Sequence, residues 1–333
     1  MIAPARSCLK GSRIVSSECC LQACLSRQFQ RLRDVFWCDT QDQERYRLLR
    51  LLCQAETLIC HGGAYGTELV ALLSIVLHEP ESHCRRILQR HQAGLRLLEE
   101  RRHRWRGTRE VYRYQEAVRL DNESEVMALL SDYPGSVILA AYHLGDYVHC
   151  LPRLSACQPM ERKRLVIRME AGSPASQHNQ RRICEQTGMS FAETVPSQEA
   201  EPLFLRRRLL ESQIALLTFC DLNADWGASC EVEFLSRRAW FSNAAAGLAI
   251  ATGTPLLPVV CWHDGSRNRV RLEPFVDARV LPGENFATAV QRVTQRLVDH
   301  LQAELEHHPE QWRYLAALPR YFVRPQYVQG NSD

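Results

Sequence analysis

Lysine is nearly missing from this chain. It occurs only at Lys10 and Lys163, and every other basic residue is arginine. That balance is what a GC-rich genome encodes, and it leaves the side chain best suited to planar, bidentate contact with phosphate or carboxylate. A net charge of +3 over 333 residues gives no electrostatic ground for nucleic acid as a partner. Long apolar runs are missing too. The most apolar window, "LVALLSIVL" at 69–77, stops at His78, Glu79 and Pro80, and crossing a bilayer takes roughly 20 such residues. It reads as a buried helix. The first thirty residues show no secretory signal. The 14 cysteines include no Cys-x2-Cys pair. Cys20 and Cys24 lack the second ligand pair of a zinc site, so the expectation is reduced thiols in a cytoplasm.

What is present is enough apolar residue, 45%, for a sizeable core. Residues 1–40 are polar and irregular and read as an extension. From 41 to 130 the patterns are helical, as in "QERYRLLRLLCQAETL". In "EPESHCRRILQRHQAGLRLLEERRHRW" one face carries Cys84, Ile87, Leu88, His91, Leu95 and Leu98. Asn122 reads as the cap of a short third helix. From 131 to 325 the pattern changes to strands alternating with helices. "SVILAAYH", "KRLVIRM", "SQIALLTFCD", "PLLPVVCWH" and "RNRVRLEPF" are strand candidates. "SQHNQRRICEQTG", "NAAAGLAIATG" and "NFATAVQRVTQRLVDHLQAELEHH" are helix candidates. The expected class is α/β: a mixed, largely parallel central sheet flanked by helices, with a helical N-terminal lead-in.

Ligands in such sheets bind off the carboxyl ends of strands. His143, Arg168 and Asp221 each fall at or just past such an end. A neutral histidine can take a proton from a hydroxyl or amine, and an acidic partner fixes its ring. Asp146 stands three residues after His143, and His149 three further on. On spacing, Asp146 can serve either histidine, and it can equally be a helix cap. His143, Asp146 and His149 diverge too far along a helix to make a convincing metal site, and no metal is expected.

Several blocks, in order, resemble the late lipid A acyltransferases of the glycerolipid acyltransferase superfamily. "LHEPESHCRRILQRHQAGLRLLEE" is similar to that family's helical lead-in. "SVILAAYHLGDY" resembles its strand-then-histidine motif, H-x-G-N-W-E. "LVIRMEAGSPASQHNQRRICEQTG" resembles its second block, with an arginine at a strand's end. The 215–260 stretch resembles its third and fourth blocks, and "HPEQWRYL" its closing one. The resemblance runs from His78 to Arg324. One departure stands out: the family's acid, five residues after the histidine, is Val148 here, and Asp146 takes the place of the family's asparagine.

The resemblance implies transfer of a fatty acyl group from an acyl carrier protein or coenzyme A thioester to a hydroxyl of a lipid or glycolipid. No cofactor beyond that co-substrate is expected. His143 would be the general base, with Asp146 as its orienting acid. Amides around Gly145 would meet the oxyanion. Arg168, and less directly Arg181 and Arg182, would hold an anionic group, and Asp221 would anchor a loop or an arginine. The run Arg206–Arg208 suits either an acidic carrier protein or phospholipid headgroups, and equally a solvated face. The small residues of 244–249 suit an acyl slot or close helix packing. Without a membrane-spanning run, the expected location is cytoplasmic, with room for peripheral contact at the inner membrane. Two other readings stay open. One is a soluble O- or N-acyltransferase acting on a small metabolite or carrier-bound peptide. The other is a non-catalytic acyl-binding relative.

Overall fold

In the computed structural model the described residues are 66–104, 116–125, 133–155, 164–169, 193–196, 201–211 and 213–325, with 25, 27–29, 51, 52, 55 and 128. Helices α1 (Thr67–Leu77) and α2 (Glu81–Arg104) come first. Strands β1 (Arg119–Leu120) and β2 (Val137–Ala141), helix α3 (Tyr147–Ser155), and strands β3 (Arg164–Met169) and β4 (Glu193–Pro196) follow. Then come α4 (Glu201–Glu211), β5 (Ile214–Phe219), β6 (Ser229–Phe234), β7 (Arg237–Ser242) and α5 (Ala244–Thr252). The chain continues through β8 (Leu256–His263), β9 (Asn268–Leu272), α6 (Phe286–Leu305) and the short α7 (Leu318–Tyr321).

Seven strands form one sheet in the order β1-β9-β8-β2-β5-β3-β4. Neighbours run parallel except β8 and β9, which are antiparallel. The central strands are apolar along their whole length because both faces are covered. Their period of two divides them cleanly. Ile138, Ala140, Leu216 and Val260 belong to one core cluster, with residues of α1, α2, α4, α5 and α6. Val137, Leu139, Ala141, Leu217 and Val259 belong to the other, with Tyr147, Cys150, Leu151 and Leu154 of α3. Each such Val or Leu contributes about 1.5–3 kcal/mol by leaving water.

The expected α/β class holds, and the five expected strands are β2, β3, β5, β8 and β9. On α2 the expected apolar face is buried at Cys84, Ile87, Leu88 and His91; Leu97 goes inside where Leu95 and Leu98 are only half-buried. On α6 Asn285 caps the helix, accepting from the Thr288 amide at 2.9 Å. Val290, Val293, Leu297, Leu301 and Leu305 are buried, but Phe286 is exposed. Asn122 does not cap: its side chain donates to the Leu272 carbonyl at 2.6 Å and accepts the Leu272 amide at 3.3 Å, joining its loop to β9. The helix expected at "SQHNQRRICEQTG" lies outside the described residues, as do most of 1–65.

The sequence patterns did not anticipate the antiparallel pair β6–β7. Its two turn residues, Leu235 and Ser236, have positive φ, a conformation usually left to glycine or asparagine. Tertiary contacts hold it. Leu235 is buried, and its amide donates to Gln302 Oε1 of α6 at 2.8 Å. Gln295 brackets Glu233 from both sides, accepting its amide at 2.7 Å and donating to its carbonyl at 2.8 Å.

Candidate active site

The adjacent parallel strands β2 and β5 pair Ala141 with Phe219. Two residues beyond each lie His143 and Asp221. The register therefore delivers an imidazole and a carboxylate to the same level at the carboxyl edge of the sheet, although 78 positions separate them in the chain. Asp221 Oδ1 lies 2.8 Å from His143 Nδ1, and Asp221 Oδ2 accepts the His143 backbone amide at 2.7 Å. A carboxylate only accepts, so Nδ1 carries a proton, and in the neutral ring the lone pair is on Nε2. The His143 side chain is 12% exposed and that of Asp221 is 0% exposed.

A fully buried carboxylate is stable only when hydrogen-bonded. Asp221 has a third donor, Trp312 Nε1, at 3.0 Å from Oδ2. Its backbone carbonyl accepts from the Tyr321 hydroxyl at 2.6 Å. Burial, reinforced by the Asp221 charge, pushes the Tyr321 hydroxyl well above its ordinary range, so it stays a donor. The histidine ring is fenced by aromatics. Phe219 stacks on it at 3.9 Å between centroids, and Tyr147 and Tyr314 meet it edge-on at 4.9 Å each. Tyr142, next to His143, donates to the Leu297 carbonyl at 2.8 Å and ties this strand end to α6.

Asp146 is not the partner of His143. Its Oδ1 lies 2.7 Å from Nδ1 of His149, and both side chains are buried. The reason is local geometry. Helix α3 starts at Tyr147, so His143 sits on the turn before the helix rather than in its first turn. Asp146 stands at the helix boundary, its carbonyl accepting the amides of His149 and Cys150 at 3.1 and 3.0 Å. From there its side chain meets His149 on the first turn. Asp146 also borders a cavity of about 80 Å³ shared with His91, His263 and Asn268.

The Gly145 amide is also occupied: it donates to the Gln311 carbonyl at 3.1 Å, which removes it as an oxyanion donor. Gly145 has a different reason to be glycine. Its φ is +57°, and a Cβ there would lie 2.8 Å from both the Cys261 carbonyl oxygen and Trp262 Cα. The Arg313 amide bonds the His143 carbonyl at 2.9 Å. The "HPEQWRYL" stretch thus clasps the histidine loop by backbone while Trp312 holds the acid.

Arg168 is the penultimate residue of β3, opposite Val195 of β4, one strand away from Asp221; its side chain, like all of Arg181 and Arg182, lies outside the described residues. Arg206 and Arg207 are exposed on α4, where Arg207 pairs with Glu211 at 2.8 Å. Ala245, Ala246 and Ala249 of α5 are buried against the core, which is the close-packing use of small residues. Among the described residues no group of three metal-ligating side chains forms. No helix among them is long and apolar enough to cross a membrane.

With this geometry in place, similarity to known proteins becomes informative. Residues 211–320 match the family of bacterial lipid A biosynthesis acyltransferases. That range holds Asp221, Trp312 and β5 through β9, and it stops short of His143. The chain is also 28% identical over 130 residues to a phosphatidylinositol mannoside acyltransferase of Mycolicibacterium smegmatis. That match covers 39% of this chain and 37% of the relative's length. The late-acyltransferase resemblance read from the sequence is thus supported over the C-terminal third of the chain.

Proposed function

We propose that the chain is an acyltransferase that moves a fatty acyl group from an acyl-carrier-protein or coenzyme A thioester to a hydroxyl of a lipid or glycolipid. The observation that carries the reading is His143 held through Nδ1 by the buried Asp221, within a chain that matches an acyltransferase family. The acceptor class rests on the lipids for which the matching family and the mycobacterial relative are named, lipid A and phosphatidylinositol mannoside.

The chemistry follows from the free nitrogen. His143 Nε2 takes the proton of the acceptor hydroxyl as its oxygen attacks the thioester carbonyl carbon. The carbon–sulfur bond breaks, and the imidazolium returns the proton to the departing thiolate. Ester and thiol are the products. Asp221 keeps Nδ1 protonated and offsets the imidazolium charge. No cysteine or serine nucleophile is needed, because holding two substrates together supplies several kcal/mol of the barrier. Incubation of the chain with an acyl thioester and candidate lipid acceptors, read by mass, tests this. Wild type should give the acylated product, and His143→Ala should lower the rate about 10²–10⁴-fold. Equal slow rates for both would end the reading.

A further inference from the structure

We infer that the cavity beside Asp146 is a second ligand site, separate from the reacting pair, and that its ligand is a small neutral polyol. The cavity is bounded by α2, the histidine loop and the turn at Glu310 and Gln311. Among the described residues its lining includes Gly145 and Asp146 of that loop but neither His143 nor Asp221. The inference goes beyond the proposed acyl transfer and does not rest on it. Gly94 is the first observation. It stands inside α2, where glycine is destabilising relative to alanine. Neither backbone nor packing requires it. Its φ is not positive, and a Cβ there would meet nothing beyond the helix itself within 4 Å. Gly94 lines the cavity, so its missing side chain leaves open space there.

The walls are polar where a core would be apolar. His91, Asp146 and Asn268 all line the cavity, at 1%, 4% and 5% exposure. A cavity with polar walls holds water, or a ligand that replaces water and its hydrogen bonds. The His91 ring donates through Nδ1 to the Glu310 carbonyl at 3.1 Å. Burial lowers its pKa to about 4, so the ring is neutral at pH 7 with its lone pair on Nε2. His263 has the opposite tautomer: Nδ1 accepts the Gly265 amide at 3.0 Å, so Nε2 carries the proton. The lining residues thus supply both acceptors and donors, and a hydroxyl group does both. Charge disfavours other small ligands. A phosphate would meet the Asp146 carboxylate, and an ammonium ion would meet Arg90. At about 10–15 Å³ per water, the cavity of about 80 Å³ takes about five to eight waters, the size of a polyol of about three or four carbons.

The test is binding of erythritol to the full chain, read by titration calorimetry and saturation-transfer NMR. Wild type should bind it saturably. Gly94→Ala should weaken binding, and Gly94→Leu, which fills the space, should weaken it about tenfold or more. Thermal unfolding of both variants should match or exceed wild type, because alanine and leucine favour a helix over glycine. That separates lost binding from lost fold. His143→Ala should bind erythritol like wild type. A wild type that does not bind overturns the inference, as does equal binding by Gly94→Leu. Inorganic phosphate or ethylammonium bound with the same dependence on Gly94 overturns the ligand class. Octyl glucoside below its micelle concentration distinguishes a free polyol from the sugar of a lipid. Erythritol that stays bound in its presence supports a separate site. Displacement makes the cavity a lipid headgroup site and overturns the separation. None of these readings uses acyl turnover. Failure of the proposed reaction leaves the polyol site standing, and failure of erythritol to bind leaves the reaction standing.

Discussion

Asp221 grips His143 at two points: one carboxylate oxygen takes the backbone amide at 2.7 Å and the other faces ring Nδ1 at 2.8 Å. The first contact fixes where the residue sits on the loop, and the second fixes the rotation and tautomer of the ring. Neither oxygen can reach its target unless β2 and β5 are neighbours in register.

Trp312 is the outside support of that carboxylate. The indole is fully buried, and its N–H is one of the three donors on Asp221. Trp312→Phe keeps an aromatic ring but removes the donor, leaving a buried charge short of a hydrogen bond. We expect a loss of about 2 kcal/mol in denaturant unfolding and a fall in acyl transfer of about tenfold or more, with KM little changed.

Gly145 sets how closely the histidine loop lies on β8. Gly145→Ala adds a methyl where the backbone of Cys261 and Trp262 already stands, at a positive φ. The conformation alone costs about 1–2 kcal/mol, and the contact adds to it. Thermal unfolding should drop by several degrees, and acyl transfer should fall because the loop carrying His143 must shift.

Much of this architecture was legible in the sequence. Strands β2, β5 and β8 were readable because strands covered on both faces are nearly uninterrupted apolar runs, β3 by its Leu165–Val166–Ile167 run, β9 by its alternation, and α6 because its stripe is regular. The hairpin β6–β7 was not, since Leu235 and Ser236 are no usual turn pair and the glutamines that hold it look like solvated polar residues of α6. His143 and Asp221 were both recognisable as strand-end residues. Their partnership was not, because β3 and β4 lie between them in the chain and strand order is not written in local pattern. Asp146 looked like the partner because sequence proximity is visible and sheet order is hidden. The register of a crossover connection is the information that was missing.

His91 gives the fold a pH dependence. It is buried on the face of α2 that meets the C-terminal clasp, its Nδ1 donating to the Glu310 carbonyl at 3.1 Å. Burial lowers its pKa from 6.5 to about 4. Above pH 6.5 the ring is neutral in both folded and unfolded chains and contributes nothing to pH dependence. As pH falls from 6.5 toward 4 the unfolded chain takes up a proton that the folded chain refuses. Stability should therefore fall across that window, by about 3 kcal/mol in all. Urea unfolding at pH 7 and pH 5 reads it, and His91→Leu should flatten that part of the profile.

The central claim is that Asp221, and not Asp146, is the acid that serves His143. It is tested most directly by kcat/KM for acyl transfer in Asp221→Asn and Asp146→Asn, measured side by side on folded protein. An amide at 221 cannot both accept from Nδ1 and hold its other donors, so that variant should lose about 10³-fold or more. At 146 the change touches the bond to His149, and the loss should stay below about tenfold. A drop at 146 as deep as that at 221, or an Asp221→Asn variant that works at the wild-type rate, would contradict the account.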